Sequence, residues 1–311
     1  MRLASARDLK RTLLDEATDP SRLSAFADGA IALGIAPARE PEGYRLAVRI
    51  QGGEPGAQRL ALIQALAEGQ ADVRQIGRVF AQGDPGDRRE RPVGVGASVG
   101  HFAITAGSAG AFVRVEDDDR ARLLSNNHVL ANENQGGPGD EILQPGPADG
   151  GRSSIDRIGT LERFVELDAE GTNEVDAALA LLDGGIGFVN EIDGEPLGEE
   201  PAAADEVEAV MKQGRTTGLT HGTVSAIEVD GLLVSFSAGT LRFDNQIEIS
   251  GTIGAFSAGG DSGSLIVDEA TRRGVALLFA GSEQGGPAGA GVTYGNSLTS
   301  VFARLGVSGL L

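Results

Sequence analysis

Apolar and polar residues begin to alternate at "YRLAVRI", where Tyr44, Leu46, Val48 and Ile50 share one face, as in a half-buried strand. In "GAQRLALIQALAEGQ" Leu60, Ile63 and Leu66 recur at helical spacing, and "ADVRQIGRV" returns to alternation at Val73, Ile76 and Val79. Together with the helical start "MRLASARDLKRTLLDEATDP", these runs predict a small α/β unit over residues 1–90. The charged, proline-containing linker "AQGDPGDRRERP" follows it. Past residue 93 the pattern changes. Short apolar runs, among them "HFAITAG", "AFVRV", "DAALALL", "GTVSAIEV", "NQIEIS", "SLIVD" and "GVALLFAG", recur between Gly, Asp and Ser clusters. That spacing belongs to a barrel or sandwich. The acidic, glycine-rich stretch over 182–206 divides the β region into similar halves. The simplest architecture is mainly β: two packed barrels, 91–195 and 196–311, preceded by the α/β unit.

Composition removes several classes of function. A net charge of −19 argues against nucleic acid, whose phosphates require clustered Lys and Arg. The absence of cysteine excludes disulfides, thiolate zinc sites and thiol nucleophiles. The N-terminal residues mix charges with leucines and contain no continuous apolar run. No leader or membrane span is visible there, and a cytoplasmic protein is expected.

The stretch "SAGGDSGSLIVD" raises a chemical question. Gly260-Asp261-Ser262-Gly263 suits an ordinary turn as well as a loop that presents a nucleophile. Three histidines are available as a base. His128, in "LLSNNHVLA", stands where a predicted strand ends, a rigid position facing a loop. It reads equally as a general base or as a hydrogen-bonded structural histidine. His101 starts a strand and His221 sits in a turn, so both read as structural. In "NEVDAALALLD" the two faces of a predicted strand are apolar except for Asp176. A carboxylate buried there needs a donor, whereas one at a frayed strand start does not. The order His128, Asp176, Ser262 does not fit the α/β-hydrolase or subtilisin arrangements and fits that of chymotrypsin.

The segments "LLSNNHVLA", "VDAALALL" and "GGDSGSLIV" resemble the His, Asp and Ser motifs of trypsin-like serine proteases with the double β-barrel fold. "GASVGHFAITAGSAGAFVRV", "GDEILQPGPADGG" and "VMKQGRTTGLTHGTV" are similar to the bacterial and plant branch that includes the narrow-leaf type protein. The resemblance implies a serine endopeptidase with His128, Asp176 and Ser262 as its triad and the N–H groups of Gly260 and Ser262 as its oxyanion hole. It also implies a specificity pocket with Phe256 at its base and Phe279, Ala280 and Gly281 along its wall. An apolar base points to small or medium apolar residues, unless Phe256 is simply barrel core. In the digestive members the counterpart of Asp261 pairs with an N-terminus freed by cleavage, and no such activation sequence is visible here. Either another donor satisfies Asp261 or the site stays disordered until triggered, and an intact chain regulated by its N-terminal unit, a protein partner or a homo-oligomer is expected. A protein or peptide substrate and no cofactor are expected. A catalytically silent binding module and a metal-binding β protein using "EDDD" or "GDEILQPGPADGG" are the competing readings.

Overall fold

The computed structural model describes residues 1–18, 31–38, 43–51, 57–77, 79–80, 89–116 and 118–311. The N-terminal helix α1 (Leu3–Thr18) buries Ala6 and Leu13 at helical spacing. Strands β1 (Ile31–Ala38) and β2 (Gly43–Ile50) pair antiparallel, helix α2 (Ala57–Leu66) follows, and β3 (Ala71–Gln75) returns parallel to β2. A further short strand, β4 (Val79–Phe80), comes before the first barrel. β1 was not apparent from the sequence, and most of the expected linker lies outside the described residues.

The first sheet contains β5 (Ser98–His101), β6 (Gly107–Ser108), β7 (Ala111–Val115), β8 (Asp118–Ser125), β9 (Glu141–Leu143), β10 (Arg157–Phe164) and β11 (Ala178–Leu182). It curls without closing. In β11, Leu179 enters one apolar core while Ala178 and Ala180 enter another, so the strand is buried on both sides.

The second sheet contains β12 (Ala209–Gly214), β13 (Gly218–Asp230), a hairpin of β14 (Leu232–Phe236) and β15 (Gly239–Phe243), β16 (Gln246–Gly251), β17 (Leu265–Asp268), β18 (Gly274–Gly285) and β19 (Gly291–Ser297). Six of these close a barrel in the order β12, β13, β16, β19, β18, β17 and back to β12. The chain ends with a helical turn over Leu298–Leu305 and a strand, Val307–Leu310, that pairs with β7. The residues after Ser262 therefore complete the second barrel and add an edge strand to the first sheet, where the sequence suggested the second barrel alone. The mainly β, two-barrel architecture expected from the strand spacing is the one observed.

β1 also pairs antiparallel with β13, so the N-terminal strands continue the sheet of the second barrel. The junction is charged at its centre. Arg49 of β2 places its Nε 2.6 Å and its Nη2 2.9 Å from the two carboxylate oxygens of Glu248, and neither side chain is exposed. The Tyr294 hydroxyl donates to the same carboxylate at 2.9 Å. Burial pushes the Glu248 carboxyl up, but the adjacent guanidinium outweighs it and holds the group below its usual range. Burial drives the Tyr294 hydroxyl well above its ordinary value.

Candidate active site

His128 and Asp176, from the first two motifs, meet in the structure. Strand β8 ends at Ser125, and Asn126 leads into a single helical turn, Asn127–Leu130, that carries His128. The histidine is thus set just past the predicted strand end. Asp176 also differs from expectation: it precedes β11 instead of lying within it. It is nevertheless fully buried, so it needs the donors that burial demands. His128 Nδ1 lies 2.5 Å from Asp176 Oδ2, and the His128 backbone N–H donates to Asp176 Oδ1 at 3.2 Å. Asn296 Oδ1 accepts the Asp176 N–H, and Asn126 Nδ2 donates to the Asp176 carbonyl. An ionised carboxylate only accepts, so Nδ1 carries the proton and Nε2 is left as the acceptor. The imidazole adjoins a 580 Å³ cavity lined also by Ile104, Ala106, Glu133 and Ser237. Across this cleft Glu133 accepts the N–H groups of Ser237 and Ala238, and the Phe236 ring stands edge-on to His128 at 5.9 Å.

Ser262 approaches from the second barrel. It is 1% exposed, and its Oγ donates to the Phe279 carbonyl at 3.5 Å. Gly107 of the first barrel shows how closely the two halves meet. A Cβ there would lie 2.5 Å from Val129, the neighbour of His128, and 2.8 Å from the Ser262 carbonyl. Only glycine fits. The Ser108 N–H donates to that carbonyl at 2.7 Å.

The Ser262 loop is held by the turn between β12 and β13, to which the sequence assigns no role. The Thr216 hydroxyl donates to the Gly259 carbonyl at 2.5 Å, and the Arg215 N–H bonds the Ser108 hydroxyl, which donates to the Gly260 carbonyl. Asp261, fully buried, accepts from the N–H groups of Thr216, Thr217 and Ala258 and from the Thr217 hydroxyl. Its counter-ion is Lys212 of β12, with Nζ 3.3 Å from Oδ2 and no exposure of either side chain. Lys212 also donates to the Gly218 carbonyl and the Thr217 hydroxyl. Burial lowers the Lys212 ammonium below its ordinary value, and Asp261 opposes this in part. The carboxylate without a visible partner in the sequence thus has an internal one. Arg215 ties the barrels together through a buried bidentate pair with Asp149.

Backbone geometry explains the glycines. Gly260 and Gly263 both have φ of +93°, a region that side chains disfavour. A Cβ on Gly263 would lie 2.0 Å from the Ser125 hydroxyl and 2.5 Å from the Ser108 carbonyl.

Three solved structures are similar to the chain, and the first of them is close enough to bear on the arrangement of barrels. The Nocardiopsis protease NAPase superposes with a TM-score of 0.51 at 16% identity, covering 71% of this chain and all of its own, 100%. Cellulomonas bogoriensis chymotrypsin gives 0.47 at 18% identity, covering 70% and 98%. Thermobifida fusca Protease A gives 0.47 at 16% identity, covering 71% and 99%. This is the chymotrypsin-like serine protease fold. At such identities the likeness concerns the fold alone. No family model and no curated protein sequence matches the chain. The cytoplasmic location expected from the N-terminus does not stand, because chymotrypsin-like proteases are typically secreted. A missing apolar run identifies no compartment.

Within the chymotrypsin-like fold the remaining expected residues are enclosed. Phe256, Phe279 and Ala280 have no exposure, Gly281 is buried, and none of them lines a described cavity. A cavity of 1100 Å³ lies between the N-terminal strands and the second barrel, lined by Tyr44, Arg74, Glu208 and Ser250 and not by Ser262. His101 bonds Asp140 and the Ala103 N–H, and His221 bonds Glu269 at the surface. Among the described residues no three metal-ligating side chains cluster, and no helix is long and apolar enough to cross a membrane.

Proposed function

We propose that the chain is a serine endopeptidase in which Ser262, His128 and Asp176 act as a triad. The observation that carries this reading is the buried Asp176 carboxylate bonded to His128 Nδ1, which leaves Nε2 as an acceptor, while Val129, the next residue, and the Ser262 carbonyl both crowd Gly107. Ser262 Oγ attacks a peptide carbonyl while His128 Nε2 takes its proton. The tetrahedral intermediate collapses, and the same proton passes to the departing amine, leaving an acyl-enzyme. Water, deprotonated by His128, then releases the acid. Asp176 keeps the tautomer and stabilises the imidazolium.

The oxyanion is assigned to the N–H groups of Gly260 and Ser262. A trans peptide is planar, with C=O and N–H pointing in opposite directions. Fixing the Gly259 carbonyl on Thr216 therefore aims the Gly260 N–H, and fixing the Asp261 carbonyl on the Ser264 N–H aims that of Ser262. Such preorganised donors supply much of the transition-state stabilisation in acyl transfer. On this reading Lys212 replaces a cleaved N-terminus as the partner of Asp261, so no chain scission is needed to build the loop. The division into residues 1–90, 91–195 and 196–311, kinship with the narrow-leaf branch and a pocket based on Phe256 belong to the same proposal.

Labelling by a fluorophosphonate, followed by intact mass, tests it. An adduct is expected on the wild type, absent in Ser262→Ala and much slower in His128→Ala. No adduct on a folded wild-type protein under any condition overturns the reading in favour of a silent binding module.

A further inference from the structure

Strand β18 has one edge paired with β19. Its other edge pairs with β17 over Gly274–Leu277 and, further along, with β4 at Gly281 and Ser282. Between these two stretches lies Phe279, whose carbonyl receives the Ser262 hydroxyl. An extended peptide whose carbonyl is to reach Ser262 therefore has the Gly281–Ser282 edge as its available backbone partner, and β4 already occupies it. The pairing is antiparallel, with Phe80 opposite Gly281 and Val79 opposite Ser282, so the chain advances along β18 toward Phe279 and the serine. The far edge of β4 pairs in parallel with β14, Val79 opposite Val234. Just upstream, the Ile76 carbonyl accepts the Gln284 N–H. The Val79 side chain is 2% exposed and belongs to the core cluster that holds Phe243, Phe279 and Val292.

We infer that β4, seated on this edge of β18, is an internal competitor of the extended peptide that the endopeptidase reading brings to Ser262, and that it keeps the site closed. The ligand that displaces it is an extended peptide carrying a Val- or Ile-sized apolar residue a few positions before the reacting carbonyl, where Val79 now sits. The inference rests on the endopeptidase reading and adds its substrate class and control. The physics is that of strand addition: main-chain bonds give affinity, and alternate side chains give selection. A tethered strand competes at an effective concentration on the order of millimolar, so its release lowers KM and leaves kcat nearly unchanged. Deleting the N-terminal unit is a poor test, because it would strip Glu248 of Arg49.

The full chain is compared with Val79→Asp and Val79→Pro using two probes. A small alkyl fluorophosphonate needs only Ser262 and His128; a fluorogenic tetrapeptide amide beginning with Val needs the edge as well. Expected is a rise of about tenfold in kcat/KM for the tetrapeptide, carried by KM, with phosphonylation rates within about twofold of wild type. Unchanged or slower tetrapeptide hydrolysis in both folded variants, with normal phosphonylation, overturns the inference and spares the protease reading. Absence of phosphonylation in every protein, wild type included, removes that reading and this inference with it. If neither variant folds, hydrogen exchange of the wild type decides. Saturating tetrapeptide aldehyde should speed exchange at residues 76–80, and unchanged exchange there overturns the inference.

Discussion

Replacing Lys212 by Met removes the only lysine or arginine ion-paired to Asp261 among the described residues while keeping most of the side chain's length. Loss of one partner from a buried pair costs about 3–5 kcal/mol. Asp261 retains three N–H donors and the Thr217 hydroxyl, which places the expected loss at the lower end, about 3 kcal/mol. The melting temperature should fall by roughly 5–10 °C. The effect on rate has a separate route. Lys212 and Asp261 both bond the Thr217 hydroxyl, and the adjoining Thr216 fixes the Gly259 carbonyl and so the Gly260 N–H. Losing one oxyanion donor costs about 10²–10³ in kcat, and a fall of about a hundredfold with little change in KM is expected. Steady-state hydrolysis measured well below the melting temperature separates this from unfolding. A variant that melts as predicted but keeps kcat within about twofold of wild type would refute the positioning role and leave the pair purely structural.

The same pair has a pH signature. Burial sets the folded Lys212 value below the ordinary lysine value of 10.5. As pH rises through that lowered value the ammonium is lost and kcat should fall. Stability moves the other way. Between the folded and unfolded values the unfolded chain binds more protons, so the Lys212 contribution to stability rises with pH. An alkaline loss of activity without a parallel loss of stability is expected in the wild type. An activity profile that follows unfolding would contradict it.

Asp176→Asn should leave the fold intact yet lower kcat by about 10⁴, through the wrong histidine tautomer, as read by peptide hydrolysis. Arg49→Met should cost about 3 kcal/mol in denaturant melts by leaving the buried Glu248 with only the more distant Arg74, 4.0 Å away, as a cation, and adding Glu248→Gln should recover part of it. Gly263→Ala forces a methyl against the Ser125 hydroxyl and the Ser108 carbonyl at a positive φ. It should lose about 1–3 kcal/mol and label slowly with fluorophosphonate.

What was legible in the sequence follows from range. The strand runs and the Gly-Asp-Ser-Gly turn announce themselves locally, since periodicity and backbone freedom depend on near neighbours. The histidine and aspartate were legible as candidates, since the chain has three histidines and Asp176 interrupts an otherwise apolar run, and the order and likeness of the motifs chose between the pairings. Their exact setting was not: a one-turn helix holds His128, and Asp176 lies ahead of its strand, since capping and long-range bonds from Asn126 and Asn296 decide both. Lys212 was invisible for the same reason. A single lysine in a strand usually reads as a solvent-facing position, and nothing near it names Asp261 as its partner. The pairing of β4 with β18 is the extreme case. Val79 and Phe80 read as the tail of a small α/β unit, yet their partners Ser282 and Gly281 lie near the other end of the chain. The sequence thus discloses the chemistry a site can perform. What holds the site together, and what covers it, are properties of pairings between distant strands.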